Sequence, residues 1–218
     1  MIKMAVFDLD GTLVDSLTDL ANSVNRGLKA AGLPEQPVER FRKFVGDGRA
    51  MMVRRAVAAS GGSEECVQTV IDVFNDVYKR HCNDNTAAYD GCAEMLERLA
   101  ANGVITAVLS NKPDEFVGRI LQKVYPRHRF TEAWGQKPQY KIKPDGEALH
   151  AIMALHGVSP EECVYIGDSN VDVYTAQNGG VMMAGVSWGF RGKQELLDAG
   201  APIVADTAEE LTEILLNL

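Results

Sequence analysis

Short apolar runs alternate with helical patterns along most of the chain, and this alternation constrains the fold more than any other feature. The runs lie at residues 4–7, 104–109, 163–166, 182–186 and 202–205. Apolar residues spaced three and four apart occur at 92–101, 115–124, 147–156 and 208–216. Strands that are buried on both faces read as continuous apolar runs, as in parallel sheets covered by helices. The sequence therefore predicts an α/β fold, a doubly wound parallel sheet with a Rossmann-like core.

The segment from about residue 15 to residue 82 departs from this alternation, because it contains helical patterns and no strand pattern. One helical face is formed by Leu17, Leu20, Ala21, Val24 and Leu28. A second face is formed by Val67, Val70, Ile71, Phe74 and Val77. We expect an inserted α-helical cap domain at residues 15–83 and an α/β core built from residues 1–14 and 84–218.

Charge and composition limit the partners that the chain can bind. The 218 residues carry 22 Lys and Arg against 30 Asp and Glu, so the formal charge of −8 provides no general field for nucleic acid or anionic membranes. No stretch approaches the ~20 apolar residues that cross a bilayer, and the first residues lack a signal-peptide pattern. The four cysteines are far apart, which is typical of reduced thiols. We expect a cytoplasmic protein that binds neither nucleic acid nor membranes, and the sequence indicates no oligomeric state.

Polar residues follow three of the apolar runs. They are Asp8 and Asp10, then Ser110, Asn111 and Lys112, then Asp168 and Asp172. Ligands of open α/β sheets bind beyond the carboxyl ends of the strands, so we expect these side chains to meet there. A further candidate, Lys143, precedes the predicted helix at 147–156. A second Lys-Pro pair at 137–138 competes with Lys143-Pro144 for this position.

The three carboxylates of Asp8, Asp10 and Asp168 indicate that the chain binds a metal ion and transfers a phosphoryl group. Clustered carboxylates repel one another unless a cation neutralises them, and an oxygen-only set without His or Cys indicates Mg²⁺. The Asp8 carboxylate can attack a metal-held phosphate and form an aspartyl-phosphate. Asp10 is then free to protonate the leaving oxygen and later to deprotonate water. Donors for the phosphoryl oxygens would come from the Ser110 hydroxyl, from backbone N–H groups near Asn111 and from Lys143.

The motifs together resemble those of the haloacid dehalogenase-like phosphatases. They are DLDGT at 8–12, Ser110-Asn111, Lys143-Pro144 and GDSNVD at 167–172. The resemblance implies that Asp8 is the nucleophile and a metal ligand. It also implies that Asp10 is the acid/base and contributes its backbone carbonyl to Mg²⁺, and that Asp168 is the third protein ligand.

The same resemblance assigns roles to the remaining motif residues. Asp172 would be an outer or weaker metal ligand. Ser110, Asn111 and Lys143 would bind the transferring phosphoryl group. The family fold implied is an α/β core with a helical cap, which agrees with the pattern of residues 15–83.

Residues of the predicted cap are similar to those of phosphoglycolate phosphatases, at 14–20, 32–34 and 44–48. In that family a glycine-rich cap loop faces the active site, which implies substrate contacts for Gly48 and Arg49. The implied substrate is a small phosphorylated metabolite, 2-phosphoglycolate. Pyrophosphate, a sugar phosphate or a nucleotide is the alternative. The core motifs also leave open a phosphomutase of the same superfamily, and a non-enzymatic scaffold is disfavoured by the complete set of polar motifs.

Overall fold

The computed structural model describes residues 1–218 and alternates strands with helices, as predicted. The strands are β1 (Met4–Phe7), β2 (Val14–Asp15), β3 (Ala87–Ala88), β4 (Ile105–Pro113), β5 (Glu132–Gln136), β6 (Cys163–Gly167), β7 (Met182–Val186) and β8 (Ile203–Ala205). The helices are α1 (Leu17–Ala30), α2 (Gly48–Ala59), α3 (Glu65–His81), α4 (Cys92–Ala101), α5 (Asp114–Val124), α6 (Glu147–Leu155), α7 (Asn170–Gly179), α8 (Lys193–Asp198) and α9 (Ala208–Leu216). None of the helices combines the length and apolarity that a membrane-spanning segment requires.

Six strands form one parallel sheet in the order β5-β4-β1-β6-β7-β8. Strand β1 lies at its centre and pairs with β4 on one side and β6 on the other. All four β1 residues are fully buried, which explains their continuous apolar sequence. The predicted doubly wound α/β fold is confirmed. The strand order changes direction at β1, so the carboxyl ends of β1, β4 and β6 border the crevice where such sheets bind ligands.

Two features of the sheet were predicted incorrectly. Strand β5 was missed because it is a partly exposed edge strand, whose sequence EAWGQ has no continuous apolar run. Strand β4 was predicted to end at Leu109, but it extends to Pro113. Its pairing with β5 shifts register between Leu109 and Pro113. The polar residues 110–112 therefore belong to the end of a buried strand rather than to a following loop.

The region between β2 and β3 contains helices α1, α2 and α3 and no strand. Helices α1 and α3 pack closely at Gly27. Any side chain there would place its Cβ only 2.8 Å from Val70, so the absence of a side chain allows this approach. The apolar faces predicted for both helices are largely buried, and their residues join one hydrophobic cluster with residues of the sheet and its helices. The helical insertion is thus packed onto the core.

The chain enters and leaves this insertion through neighbouring segments. Strands β2 and β3 pair antiparallel, Val14 with Ala88. Beyond them, the buried carboxylate of Asp19 accepts hydrogen bonds from the backbone and side chain of both Asn85 and Thr86, at 2.7–3.0 Å. These contacts fix the two connections beside each other. The boundaries predicted at residues 15 and 83 fall in these connections and stay a prediction.

Candidate active site

The turn after β1 is built so that Asp168 can approach it closely. Gly11 has φ of +88°, a conformation that favours glycine, and a Cβ there would lie 2.5 Å from Asp168 Oδ2. A Cβ on Gly189 would lie 2.3 Å from the Asp168 Cβ. Phe190 N donates to Asp168 Oδ2 at 2.7 Å. The two glycines and this hydrogen bond hold the Asp168 carboxylate against the end of β1.

Three aspartates gather at the ends of β1 and β6. Carboxylate oxygens of Asp8, Asp168 and Asp172 lie within 4.8 Å of one another, and all three residues are buried. Burial, reinforced by Asp172 and Asp8, raises the pKa of Asp168 well above its usual range. Burial also raises the pKa of Asp8 to about 6, against the opposing effect of Lys143 and with further increases from Asp172 and Asp10. Oxygen donors under such mutual repulsion fit a hard divalent cation such as Mg²⁺.

Lys143 supplies the positive charge on this side of the site. Its Nζ lies 2.8 Å from Asp172 Oδ1 and 2.9 Å from Asp8 Oδ1, and it donates to the Tyr165 hydroxyl at 2.9 Å. Burial alone would lower the pKa of Lys143, but Asp172 and Asp8 outweigh it and raise that pKa well above the usual value. Ser169 N and Oγ bind the other oxygen of Asp172, at 3.1 and 2.7 Å. Both Asp172 oxygens therefore have protein partners.

The structure distinguishes the two Lys-Pro pairs. Lys137 lies outside the aspartate cluster, where its Nζ is 3.1 Å from Asp114 Oδ2 and 5.3 Å from the centre of the Trp134 ring. Lys143 is the lysine that reaches Asp8. Spacing along the chain fits either Lys-Pro pair. The path of the chain from β5 to α6 places Lys143, and not Lys137, beside Asp8.

Asn111 ties three segments together. Its side chain accepts a hydrogen bond from Lys143 N at 2.8 Å, and donates to Lys143 O at 3.0 Å and to Gly46 O of the insertion at 3.1 Å. Ser110 lies next to it, and its hydroxyl accepts from Lys112 N at 3.3 Å. The oxygen and the nitrogen of the Asn111 side-chain amide both have protein partners. Asn111 therefore holds Lys143 and the insertion loop in position. The Ser110 hydroxyl lines the cavity beside Asp8.

Asp10 has a separate set of partners. Lys112 Nζ lies 2.9 and 2.8 Å from its two carboxylate oxygens, and Ser16 Oγ donates to Oδ1 at 2.5 Å. Lys112 is only 5% exposed. Burial alone would lower the pKa of Lys112, but Asp10 and Tyr78 outweigh this effect and raise that pKa above its usual value. Asp10 is therefore paired with Lys112, whereas Asp8 is paired with Lys143.

A cavity lies between the strand ends and the insertion. Asp8, Asp10, Ser110, Asn111 and Lys112 line its core side. The opposite wall contains Leu20, Val45, Gly46, Gly48, Arg49, Met52, Phe74 and Tyr78. Both predicted cap residues therefore face the same cavity as the predicted nucleophile.

Gly48 and Arg49 differ in what they offer to a ligand. Gly48 has φ of +82°, a backbone conformation that favours glycine and strains any other residue at this position. Arg49 donates to Asn75 Oδ1 at 2.6 Å, and it takes part in none of the ion pairs of the structure. The Arg49 guanidinium thus keeps its positive charge unneutralised beside the cavity.

Sequence reasoning placed Lys112 among the polar residues that follow the strands but gave it no role, and it missed Ser16 and Tyr78. Ser16 bonds Asp10 from the start of α1, and Tyr78 lies four residues after Phe74 on the cavity face of α3. Their proximity to Asp10 depends on how the insertion packs on the core, which spacing along the chain does not give.

The family model of haloacid dehalogenase-like hydrolases matches residues 5–186. The chain belongs to this family. It is 33% identical over 213 residues to phosphoglycolate phosphatase 1 of Pseudomonas aeruginosa, covering 96% of this chain and 78% of that one. It is 32% identical over 219 residues to a phosphoglycolate phosphatase of Vibrio parahaemolyticus, covering 98% and 96%. The predicted enzyme class, a phosphoric monoester hydrolase similar to phosphoglycolate phosphatases, is confirmed.

Solved structures of this family share the same fold. A crystal structure from Lactobacillus delbrueckii subsp. bulgaricus, provisionally named a phosphoglycolate phosphatase, superposes with a TM-score of 0.93 at 33% identity and covers 98% of each chain. A second from Haemophilus somnus, named in the same provisional way, has a TM-score of 0.91 at 29% identity, with 98% and 97% covered. The agreement over the full length includes the helical insertion.

Proposed function

We propose that this enzyme is a Mg²⁺-dependent phosphatase that hydrolyses 2-phosphoglycolate through an aspartyl-phosphate on Asp8. The observation that carries the proposal is the arrangement around the DxD motif. Asp8 faces the cavity 2.9 Å from Lys143, while Asp10 faces the same cavity from its own pair with Lys112. One carboxylate is placed to attack phosphorus, and the other is placed to exchange a proton.

The first step joins Asp8 to the substrate. An Asp8 carboxylate oxygen attacks phosphorus, and the bond from phosphorus to the ester oxygen breaks. Asp10 in its acid form gives its proton to that leaving oxygen. The Ser110 hydroxyl and the Lys143 ammonium bind the phosphoryl oxygens. They stabilise the negative charge on these oxygens in the transition state.

The second step releases phosphate. Asp10, now a carboxylate, takes a proton from a water molecule whose oxygen attacks the phosphorus of the aspartyl-phosphate. The bond from phosphorus to Asp8 breaks, which restores the Asp8 carboxylate and frees inorganic phosphate. Because the insertion covers the cavity, it limits the water that reaches the site during the first step.

The residues present fit Mg²⁺, which would be held by the carboxylates of Asp8 and Asp168 and the backbone carbonyl of Asp10. When bound, the ion offsets the negative charges of the attacking carboxylate and the phosphate. Asp172 is better suited to an outer position, because both of its oxygens already accept protein hydrogen bonds. Its task would be to hold Lys143.

The choice of 2-phosphoglycolate is supported by the names of the relatives and by the cavity. Arg49 offers a positive charge without an acidic partner, which suits a small substrate whose negative charge is not limited to its phosphate. A small metabolite of this kind, and reduced thiols, agree with an enzyme of the cytoplasm.

The test is phosphate release with Mg²⁺ from a panel of 2-phosphoglycolate, pyrophosphate, hexose phosphates, nucleotides and p-nitrophenyl phosphate. We expect the highest kcat/KM for 2-phosphoglycolate, and loss of at least about 10⁴-fold in kcat for Asp8→Asn. Hexose 1-phosphate with a bisphosphate primer is assayed for isomer formation, which would indicate a mutase. Full activity in Asp8→Asn would contradict the nucleophile, and preference for another ester would contradict the substrate.

A further inference from the structure

The hydroxyl of Tyr78 is a buried polar group without a partner in the protein. Tyr78 is 1% exposed and lines the cavity, yet its hydroxyl makes no hydrogen bond to any residue. A buried hydroxyl that lacks a partner destabilises the protein, so natural structures rarely keep one without a reason. The partners that its position allows are the neighbouring Lys112 ammonium and a ligand in the cavity.

The Tyr78 ring is held from both sides of the cavity. It stacks on Phe74 of α3 with ring centres 5.0 Å apart, and Phe116 of α5 meets it edge-on at 5.1 Å. Phe74 belongs to the insertion and Phe116 to the core. The hydroxyl therefore has a fixed position when the insertion is packed on the core, which is what a selective hydrogen bond requires.

Lys112 stands beside this hydroxyl. Its Nζ lies 4.9 Å from the centre of the Tyr78 ring and contacts both oxygens of Asp10. An ammonium group carries three N–H donors, so one donor remains for a ligand after the two Asp10 contacts. Tyr78 and Lys112 thus border the space next to Asp10 with a hydroxyl donor and a positive charge.

The position of Asp10 indicates which part of the substrate occupies this space. Under the proposed mechanism Asp10 contacts the leaving oxygen, and in 2-phosphoglycolate the carboxylate carbon is two bonds from that oxygen. A group so close to the leaving oxygen must lie next to Asp10. We propose that Tyr78 and Lys112 bind the substrate carboxylate and determine the preference for a two-carbon phosphoester acid, an inference that rests on the proposed function.

The test compares two esters that differ only in this carboxylate. 2-Phosphoglycolate and ethyl phosphate are assayed with the full-length enzyme and Mg²⁺, and the quantity measured is the ratio of their kcat/KM values. The wild-type ratio should be at least about 100. Tyr78→Phe keeps the ring and removes only the hydroxyl, so it should lower kcat/KM for 2-phosphoglycolate about 10- to 100-fold, mainly through KM. Ethyl phosphate has no carboxylate to lose a contact, so its kcat/KM should fall by a clearly smaller factor and the ratio should decrease.

Matched variants separate recognition from damage to the cavity. Met52→Leu changes an apolar residue of the cavity wall without removing a polar atom or the ring that stacks on Tyr78, so it should lower both kcat/KM values by similar factors and keep their ratio. Lys112→Arg retains the charge and should keep a ratio well above that of Lys112→Gln. Thermal unfolding of each variant shows whether the fold is intact.

The outcomes are distinct. A high wild-type ratio that falls in Tyr78→Phe and Lys112→Gln supports the inference. A high wild-type ratio that both variants preserve would overturn it and leave the proposed function standing. A wild-type ratio near 1 would overturn the proposed substrate and, with it, the assignment of Tyr78 and Lys112 to a carboxylate.

Discussion

Asp8 and Asp10 are two residues apart in the chain, but they stand in different surroundings. Asp8 meets Lys143 and the Asp168–Asp172 cluster, a network whose members all come from the core and are buried. Asp10 meets Lys112 and Ser16, and it faces a cavity whose other wall comes from the insertion. Pairs of carboxylates gain separate roles when their environments differ in this way. The core side suits attack on phosphorus, and the insertion side suits selection of the leaving group.

After the loss of the nucleophile, Asp10→Asn should have the largest effect, because Asp10 would act in both steps. We expect phosphate release from 2-phosphoglycolate to fall by about 10²- to 10⁴-fold. With p-nitrophenyl phosphate, whose leaving group needs little protonation, a burst of nitrophenol equal to the enzyme concentration should precede slow turnover. Stopped-flow absorbance measures the burst.

Asp15→Asn is the control for this prediction, since Asp15 is exposed and an Asn oxygen can still accept from Leu17 N. It should retain normal turnover. If Asp10→Asn keeps wild-type turnover, the division of roles between Asp8 and Asp10 is wrong.

Lys143→Met should cause the next largest effect, on stability as well as activity. The variant leaves the buried Asp172 carboxylate without its cation, which costs about 3–5 kcal/mol in the free energy of unfolding. Lys141→Met, two residues earlier, removes a lysine whose side chain is 74% exposed and should change stability by less than about 0.5 kcal/mol. Urea unfolding followed by circular dichroism measures both. Equal stability of the two variants would contradict the buried network.

Lys112→Met should destabilise the protein less than Lys143→Met, by about 1–3 kcal/mol. Asp10 keeps its Ser16 hydrogen bond and borders the cavity, where water can solvate the carboxylate. The same urea experiment gives the difference between the two lysine variants. A loss as large as that of Lys143→Met would show that the two sides are equally closed to water.

Mg²⁺ should have the smallest of these effects, an increase in thermal stability. At about ten times its Kd, an ion that binds only the folded state contributes about 1.4 kcal/mol, which raises Tm by roughly 3–5 °C. Asp168→Asn removes a proposed ligand and should abolish the shift, whereas the exposed Asp90→Asn should keep it. Differential scanning calorimetry with and without EDTA measures the shift, and an unchanged shift in Asp168→Asn would contradict the ligand assignment.

The core could be predicted largely from the sequence, because its signals are local. Buried strands such as β1 are continuous apolar runs, and Asp8 and Asp168 directly follow two of them. Edge strand β5 escaped prediction since one side of it is solvated and its sequence is mixed. The end of β4 escaped because buried polar residues there resemble a loop.

The insertion side could be predicted only in part. The helical pattern and the position of Arg49 were readable, but the pairing of Lys112 with Asp10 joins residues 102 positions apart. Tyr78 reaches the same place through the packing of α3 on the core. Such contacts depend on the angle at which two elements meet, which neither periodicity nor motif spacing contains.

The narrow attachment of the insertion has a consequence for how such enzymes diversify. Strands β2 and β3 bring the two ends of the insertion next to each other. The insertion is therefore attached to the core at one point, whatever the length of the insertion. The entropy of closing a chain segment grows only slowly with its length. A different insertion grafted at this point would leave the aspartates of the strand ends in place, so new substrate ranges can arise by exchanging one module while the hydrolytic machinery is inherited unchanged.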